Sequence, residues 1–135
     1  MATADLLRSS PLFAQFDDAT LERIAEPFSE VEFPANHVLI ESRIPGAGLF
    51  VICDGTVIVE ARGAERELGR GDVVGEISLV EDDGLRRARV VSKTPLRCLA
   101  LDRAGFERLA EAEPQVADAI RALAREREDE LESSG

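Results

Sequence analysis

Gly75, Glu76 and Arg86 are the residues whose types and spacing could do chemistry together. They lie in one stretch, Val74-Gly75-Glu76-Ile77-Ser78-Leu79-Val80-Glu81-Asp82-Asp83-Gly84-Leu85-Arg86-Arg87-Ala88-Arg89-Val90, which breaks the rhythm of its surroundings. Gly75 lets the backbone take an unusual dihedral or come close to a ligand. Glu76 to Val80 can wind a single helical turn, whose free N–H groups attract an anion. Arg86 follows ten residues after Glu76, across a loop, from where its guanidinium can fork onto a phosphate. A carboxylate beside such a site accepts hydrogen bonds from sugar hydroxyls. A hydroxyl acceptor, backbone donors and an arginine are the three parts that a ribose-phosphate pocket needs.

Other chemistries find little support. Ser78 lacks the Gly-x-Ser-x-Gly setting of an exposed nucleophile. The single histidine, His37, stands at a strand start, where it is expected to be exposed. Glu81-Asp82-Asp83-Gly84 lacks alternate ligand spacing and a distal bidentate Glu, so it reads as a solvated loop and not a calcium site. The two cysteines, Cys53 and Cys98, sit in apolar runs without a Cys-x-x-Cys pair. They are expected to be buried, inert thiols, with no zinc site and no metal elsewhere. An enzyme is therefore not expected, and no cofactor is implied apart from a bound nucleotide.

The formal net charge of −11 repels phosphate polymers and anionic lipid, so nucleic acid and membrane surfaces are not expected partners. No secretory pattern opens the chain, and no apolar run approaches the ~20 residues of a membrane span. A cytoplasmic protein is the expectation, and the thiols suit a reducing compartment.

The elements that must position the stretch follow from periodicity. Residues 1–28 read as helical: Leu6, Leu7, Leu12, Phe13 and Phe16 are apolar, and Asp17-Asp18 offers a cap. Leu21, Ile24, Ala25 and Phe28 then recur at helical intervals. From 29 to 101 the period shortens into β-prone runs around Val31, Val38, Phe50, Val57, Arg66, Val90 and Leu99. Pro34-Ala35-Asn36, Pro45-Gly46-Ala47-Gly48, Asp54-Gly55, Arg62-Gly63 and Gly69-Arg70-Gly71-Asp72 punctuate them. Turns this regular predict an antiparallel β-barrel or sandwich. Helical spacing returns over 102–131, with Phe106 and Leu109 on a first helix and Pro114 opening a second. Val116, Ile120 and Leu123 form the apolar stripe of that last helix, and beyond Ala124 the charged run reads as a solvated or fraying end. The expected class is mainly β with flanking helices, in a single domain spanning 1–135.

Taken together, these residues resemble the cyclic nucleotide-binding domain family, which includes bacterial cAMP receptor proteins, kinase regulatory subunits and gated channels. Gly75-Glu76-Ile77-Ser78-Leu79 is similar to the first half of that family's phosphate-binding cassette, and Arg86-Arg87-Ala88-Arg89-Val90 to the second. Gly55-Thr56-Val57 and Gly71-Asp72 also sit where the family has them. The resemblance implies a jelly-roll barrel that binds cAMP or cGMP. It gives Glu76 to the ribose 2′-hydroxyl and Arg86 to the cyclic phosphate. Backbone N–H groups of Ile77, Ser78 and Ala88 would serve the ligand oxygens, with Gly75 allowing the approach. The Arg87 position commonly carries a small polar residue that touches the phosphate, and the final helix around Ile120 to Ala124 would cover the base.

The chain departs from the family pattern at Val74, where an aromatic is usual, at Leu85, where Pro is frequent, and at Arg89, where many members have Thr. Alternation puts Arg87 and Arg89 on one face. Either they pair with Glu81, Asp82 and Asp83, or they line the pocket and suit guanine or a cyclic dinucleotide. Glu76 and Arg86 likewise have a second reading, as a structural ion pair in a degenerate domain that serves as a protein-interaction scaffold. The resemblance further implies an effector protein as partner, and the Val116/Ile120/Leu123 stripe either packs within the domain or pairs two copies as a homodimer. Arg127 would limit any such seam to about two turns.

Overall fold

The computed structural model of the chain describes residues 3–40, 48–61, 63–75 and 89–134. Three short helices open it: α1 (Thr3–Leu7), α2 (Pro11–Ala14) and α3 (Asp18–Ala25). Pro11 occupies the first turn of α2, where its missing N–H costs nothing. Asp17 caps α3, its Oδ1 accepting from Thr20 N at 2.8 Å, and the Thr20 hydrogen bonds hold its carboxyl below the ordinary range. Phe28 lies beyond α3 rather than on it. Its ring meets Phe13 edge-on at 5.8 Å and closes the helical layer.

Eight strands follow among the described residues: β1 (Ser29–Phe33), β2 (Val38–Ile40), β3 (Gly48–Asp54), β4 (Val57–Ala61), β5 (Ala64–Leu68), β6 (Val73–Val74), β7 (Arg89–Ser92) and β8 (Leu96–Asp102). They form two antiparallel four-stranded sheets, ordered β1-β8-β3-β6 and β2-β7-β4-β5. Helix α4 (Arg103–Ala112) and helix α5 (Pro114–Ser134) complete the order. Asp102 ends β8 and caps α4, accepting from Gly105 N at 2.7 Å.

Alternation along the first sheet separates two cores. Leu49, Val51 and Cys53 of β3, Val73 of β6, and Leu99 and Leu101 of β8 face the helices, packing with Leu7, Phe13, Leu21, Ile24, Phe106 and Ile120. Their neighbours Ile52, Val74, Leu96 and Cys98 face the other way, toward Val57 and Val90 of the second sheet. The layers are thus helices, first sheet, second sheet. This is the mainly antiparallel, helix-flanked jelly-roll architecture that the sequence predicts, built as two facing sheets. Strand β6, only two residues long, was not among the expected strands.

Both cysteines are free and buried. Burial pushes the Cys98 thiol up to about 12 and raises the Cys53 thiol as well. They belong to neighbouring strands but to different cores, because Cys53 shares the face of Leu49 and Val51 while Cys98 pairs with Ile52 on the other face. At the C-terminus the helix continues to Ser134, past the point where the sequence reads as a fraying end. Glu and Arg make up six of the ten residues from 125 to 134, and both propagate a helix whose first half is already docked.

Candidate functional site

The stretch singled out from the sequence connects the two sheets: β6 leads into it from the first, and β7 leads out of it into the second. Val73 and Val74 pair with Val51 and Phe50. Gly75 follows with φ +89, a left-handed conformation that most side chains oppose. Just upstream, Gly69 to Asp72 form a turn: Gly69 N donates to Asp72 Oδ2 at 2.9 Å. Its backbone is stitched to β3, with Gly71 N donating to Ile52 O at 2.8 Å and Ile52 N to Asp72 O at 2.9 Å. Gly71 has φ +91, and a Cβ there would lie 2.7 Å from Ser9 O. The root of the stretch is therefore set against both β3 and the N-terminal helices.

The far flank is equally well placed. Val90 is buried with Val57 and packs toward Val59, inside the double sheet. Arg89, one residue earlier, takes the opposite face and sits across from Glu60 in the β4–β7 ladder. Its Nη1 lies 3.6 Å from Glu60 Oε2, with both side chains partly exposed. Among the expected ligand contacts, Gly75 and Arg89 are thus located. Glu76, Ile77, Ser78, Arg86, Arg87 and Ala88 lie outside the described residues, as do the acids Glu81, Asp82 and Asp83 and the expected helical turn of Glu76 to Val80. Glu60 on β4 is a partner that the sequence reading did not name for Arg89.

The last helix is spoken for along its first half. Val116, Ala117 and Ile120 are fully buried in the helix-side core with Leu7, Phe13 and Leu21, and Leu123 is half-buried against it. The Val116/Ile120 stripe is domain packing. Glu113, between α4 and α5, is the one charged residue among the described residues that is buried. Its Oε1 accepts from Arg23 Nε of α3, its Oε2 from Gln115 Nε2 at 2.7 Å. Those hydrogen bonds, Arg23 first, hold its carboxyl below the ordinary range. The sequence reading missed this contact, and also Glu60 and Ser92. His37 is exposed as expected, stacking on Phe33 at 5.0 Å between ring centroids.

The sequence pattern of the family described as "Cyclic nucleotide-binding domain" matches residues 30–113. The chain belongs to the cyclic nucleotide-binding domain family. It is 31% identical over 106 residues to a cAMP-dependent protein kinase regulatory subunit of Aspergillus fumigatus, covering 76% of this chain and 25% of that protein. It is 32% identical over 122 residues to a cyclic nucleotide-gated potassium channel of Rhizobium etli, covering 90% of this chain and 34% of the channel. Among solved structures, the catabolite activator protein of Thermus thermophilus superposes with a TM-score of 0.78 at 30% identity, over 93% of this chain and 62% of that one. The chain thus spans about a quarter to a third of the length of these two curated relatives. Among the described residues, no helix is long and apolar enough to cross a membrane.

Proposed function

We propose that this chain binds a cyclic mononucleotide, cAMP or cGMP, and passes the bound state to a protein effector through α5. Arg86 pairs with the cyclic phosphate, Glu76 accepts the ribose 2′-hydroxyl, and N–H groups of Ile77, Ser78 and Ala88 donate to ligand oxygens. Arg87 lies beside the phosphate contact. The observation that carries the reading is the split pattern Gly75-to-Leu79 and Arg86-to-Val90 in a chain of this family, entered through a left-handed Gly75. The protein performs no catalysis in this reading, works in the cytoplasm and engages neither nucleic acid nor membrane. Ligand and α5 are linked by population shift: a nucleotide that touches both the stretch and α5 favours the arrangement in which α5 is docked.

The experiment is a thermal-shift series with cAMP, cGMP and cyclic di-GMP on protein shown to be free of carried nucleotide. A ligand at a hundred times its dissociation constant stabilises by about 2.7 kcal/mol, a rise of several degrees at this size. Arg86→Leu is expected to weaken that ligand by roughly 2–5 kcal/mol, on the order of thirty-fold to several thousand-fold, with little change in stability. No shift with any of the three would favour the degenerate scaffold, and a shift with cyclic di-GMP alone would favour a dinucleotide.

A further inference from the structure

We infer that Arg23 and Glu113 are positioning residues that fix where α5 lies, although they stand 90 positions apart in sequence. Glu113 forms the corner between α4 and α5, and its backbone leaves the helical conformation there, at φ −136 and ψ 73. Its N–H closes α4 onto Leu109 O at 2.7 Å, and its carbonyl starts α5, accepting from Val116 N at 3.0 Å. Pro114 follows with no N–H, so no backbone hydrogen bond from that residue stiffens the corner. These backbone bonds stay within α4 and α5, and the tie from the corner to α3 is made by side chains.

Those side chains are few and specific. The Glu113 carboxylate receives Arg23 Nε on one oxygen and Gln115 Nε2 on the other. Arg23 is itself steadied by a 3.2 Å contact of its Nη2 with Thr20 Oγ1, and Thr20 belongs to the capped first turn of α3. A buried carboxylate with both oxygens satisfied by charged and amide donors is worth more than a surface pair, because losing one donor leaves the group desolvated and unpaired. The pair ties the α4–α5 corner to α3, and α5 runs from that corner across the N-terminal helices, burying Val116, Ala117 and Ile120. Arg23 and Glu113 thus act as a latch on the docked position of α5.

The consequence for ligand affinity rests on the proposed function; the latch itself does not. The test is hydrogen exchange on the nucleotide-free full chain, comparing wild type, Glu113→Gln, Arg23→Met and the exchanged pair Arg23→Glu/Glu113→Arg. Either single substitution is expected to speed amide exchange over residues 116–124 about three- to ten-fold. Amides of β3 and β8 should keep their protection, and the exchanged pair should recover most of the loss. Unchanged exchange in α5, an equal rise throughout the sheets, or no recovery in the exchanged pair would each overturn the latch. If wild type binds a cyclic nucleotide, Glu113→Gln should weaken it by a similar factor, and unaltered affinity would sever the latch from the ligand. If wild type binds none, the proposed function fails while the exchange data still decide the latch.

Discussion

Strand β7 is four residues long, and its two ends are held by different physics. At the far end, Ser92 is fully buried. Its hydroxyl donates to Pro34 O at 2.6 Å and accepts from His37 N at 2.8 Å. Its backbone gives N–H to His37 O at 2.9 Å and accepts from Asn36 N at 2.7 Å. Next to it, Lys93 N and Thr94 Oγ1 bond the backbone of Thr56, and Gly55, at φ +100, is pressed against Pro95 O. At the near end, Arg89 Nη1 lies 3.6 Å from Glu60 Oε2 across a partly exposed surface. Desolvated hydrogen bonds with fixed geometry hold one end, while a solvated pair that can re-form elsewhere meets the residues of the candidate site at the other. A ligand acting on the near end works against a strand whose far end does not slide.

The contrast can be attacked from the strongest point downward. Gly55→Ala forces a side chain into a left-handed backbone and against Pro95 O and Leu96, so it should cost about 2–5 kcal/mol in denaturant unfolding. A loss below ~1 kcal/mol would mean that the turn relaxes freely. Ser92→Ala removes the donor to Pro34 O and the acceptor for His37 N, with an expected loss of roughly 1–3 kcal/mol in the same measurement. If the far end is the fixed one, nucleotide affinity should follow that loss of stability and show no separate defect. Smallest of all, Glu60→Gln should change stability by no more than about 0.5 kcal/mol. Arg89→Thr should leave the ratio of cAMP to cGMP affinity unchanged, since Arg89 shares the Glu60 face and not the Val90 face. A switched ratio in competition binding would bring that guanidinium to the base and remove the distinction between the ends.

What the sequence revealed and what it hid divide by range of interaction. The cap at Asp17, the helix start at Pro114 and the unusual backbone at Gly75 are local: one residue type meets one dihedral or one orphan N–H, and each is where the spacing predicts. The two-core layering also follows from simple alternation. By contrast, Arg23 and Glu113 look like ordinary surface charges on paper, because nothing in a one-dimensional string brings α3 to the α4–α5 corner. Ser92 is equally silent: a serine at a strand end suggests solvent, yet here it is sealed beneath the Pro34–His37 turn. Glu60 is another such residue: 29 positions before Arg89 in sequence, it stands directly across from it in the ladder. A clue existed, since Glu60 is the one acid in an otherwise apolar β4 run from Val57 to Ala61.

Strand β5 carries one more consequence. Among the described residues it borders the second sheet, and Ala64, Glu65, Arg66 and Glu67 along it are all exposed. A bare ladder edge invites another chain to continue the sheet, the first step toward fibre growth. Here any chain adding there in register would meet charged side chains along the edge, and two acidic copies would meet like with like. With a net charge of −11 adding repulsion before contact, the protein carries its own safeguard against open-ended stacking at this edge, independent of anything it binds.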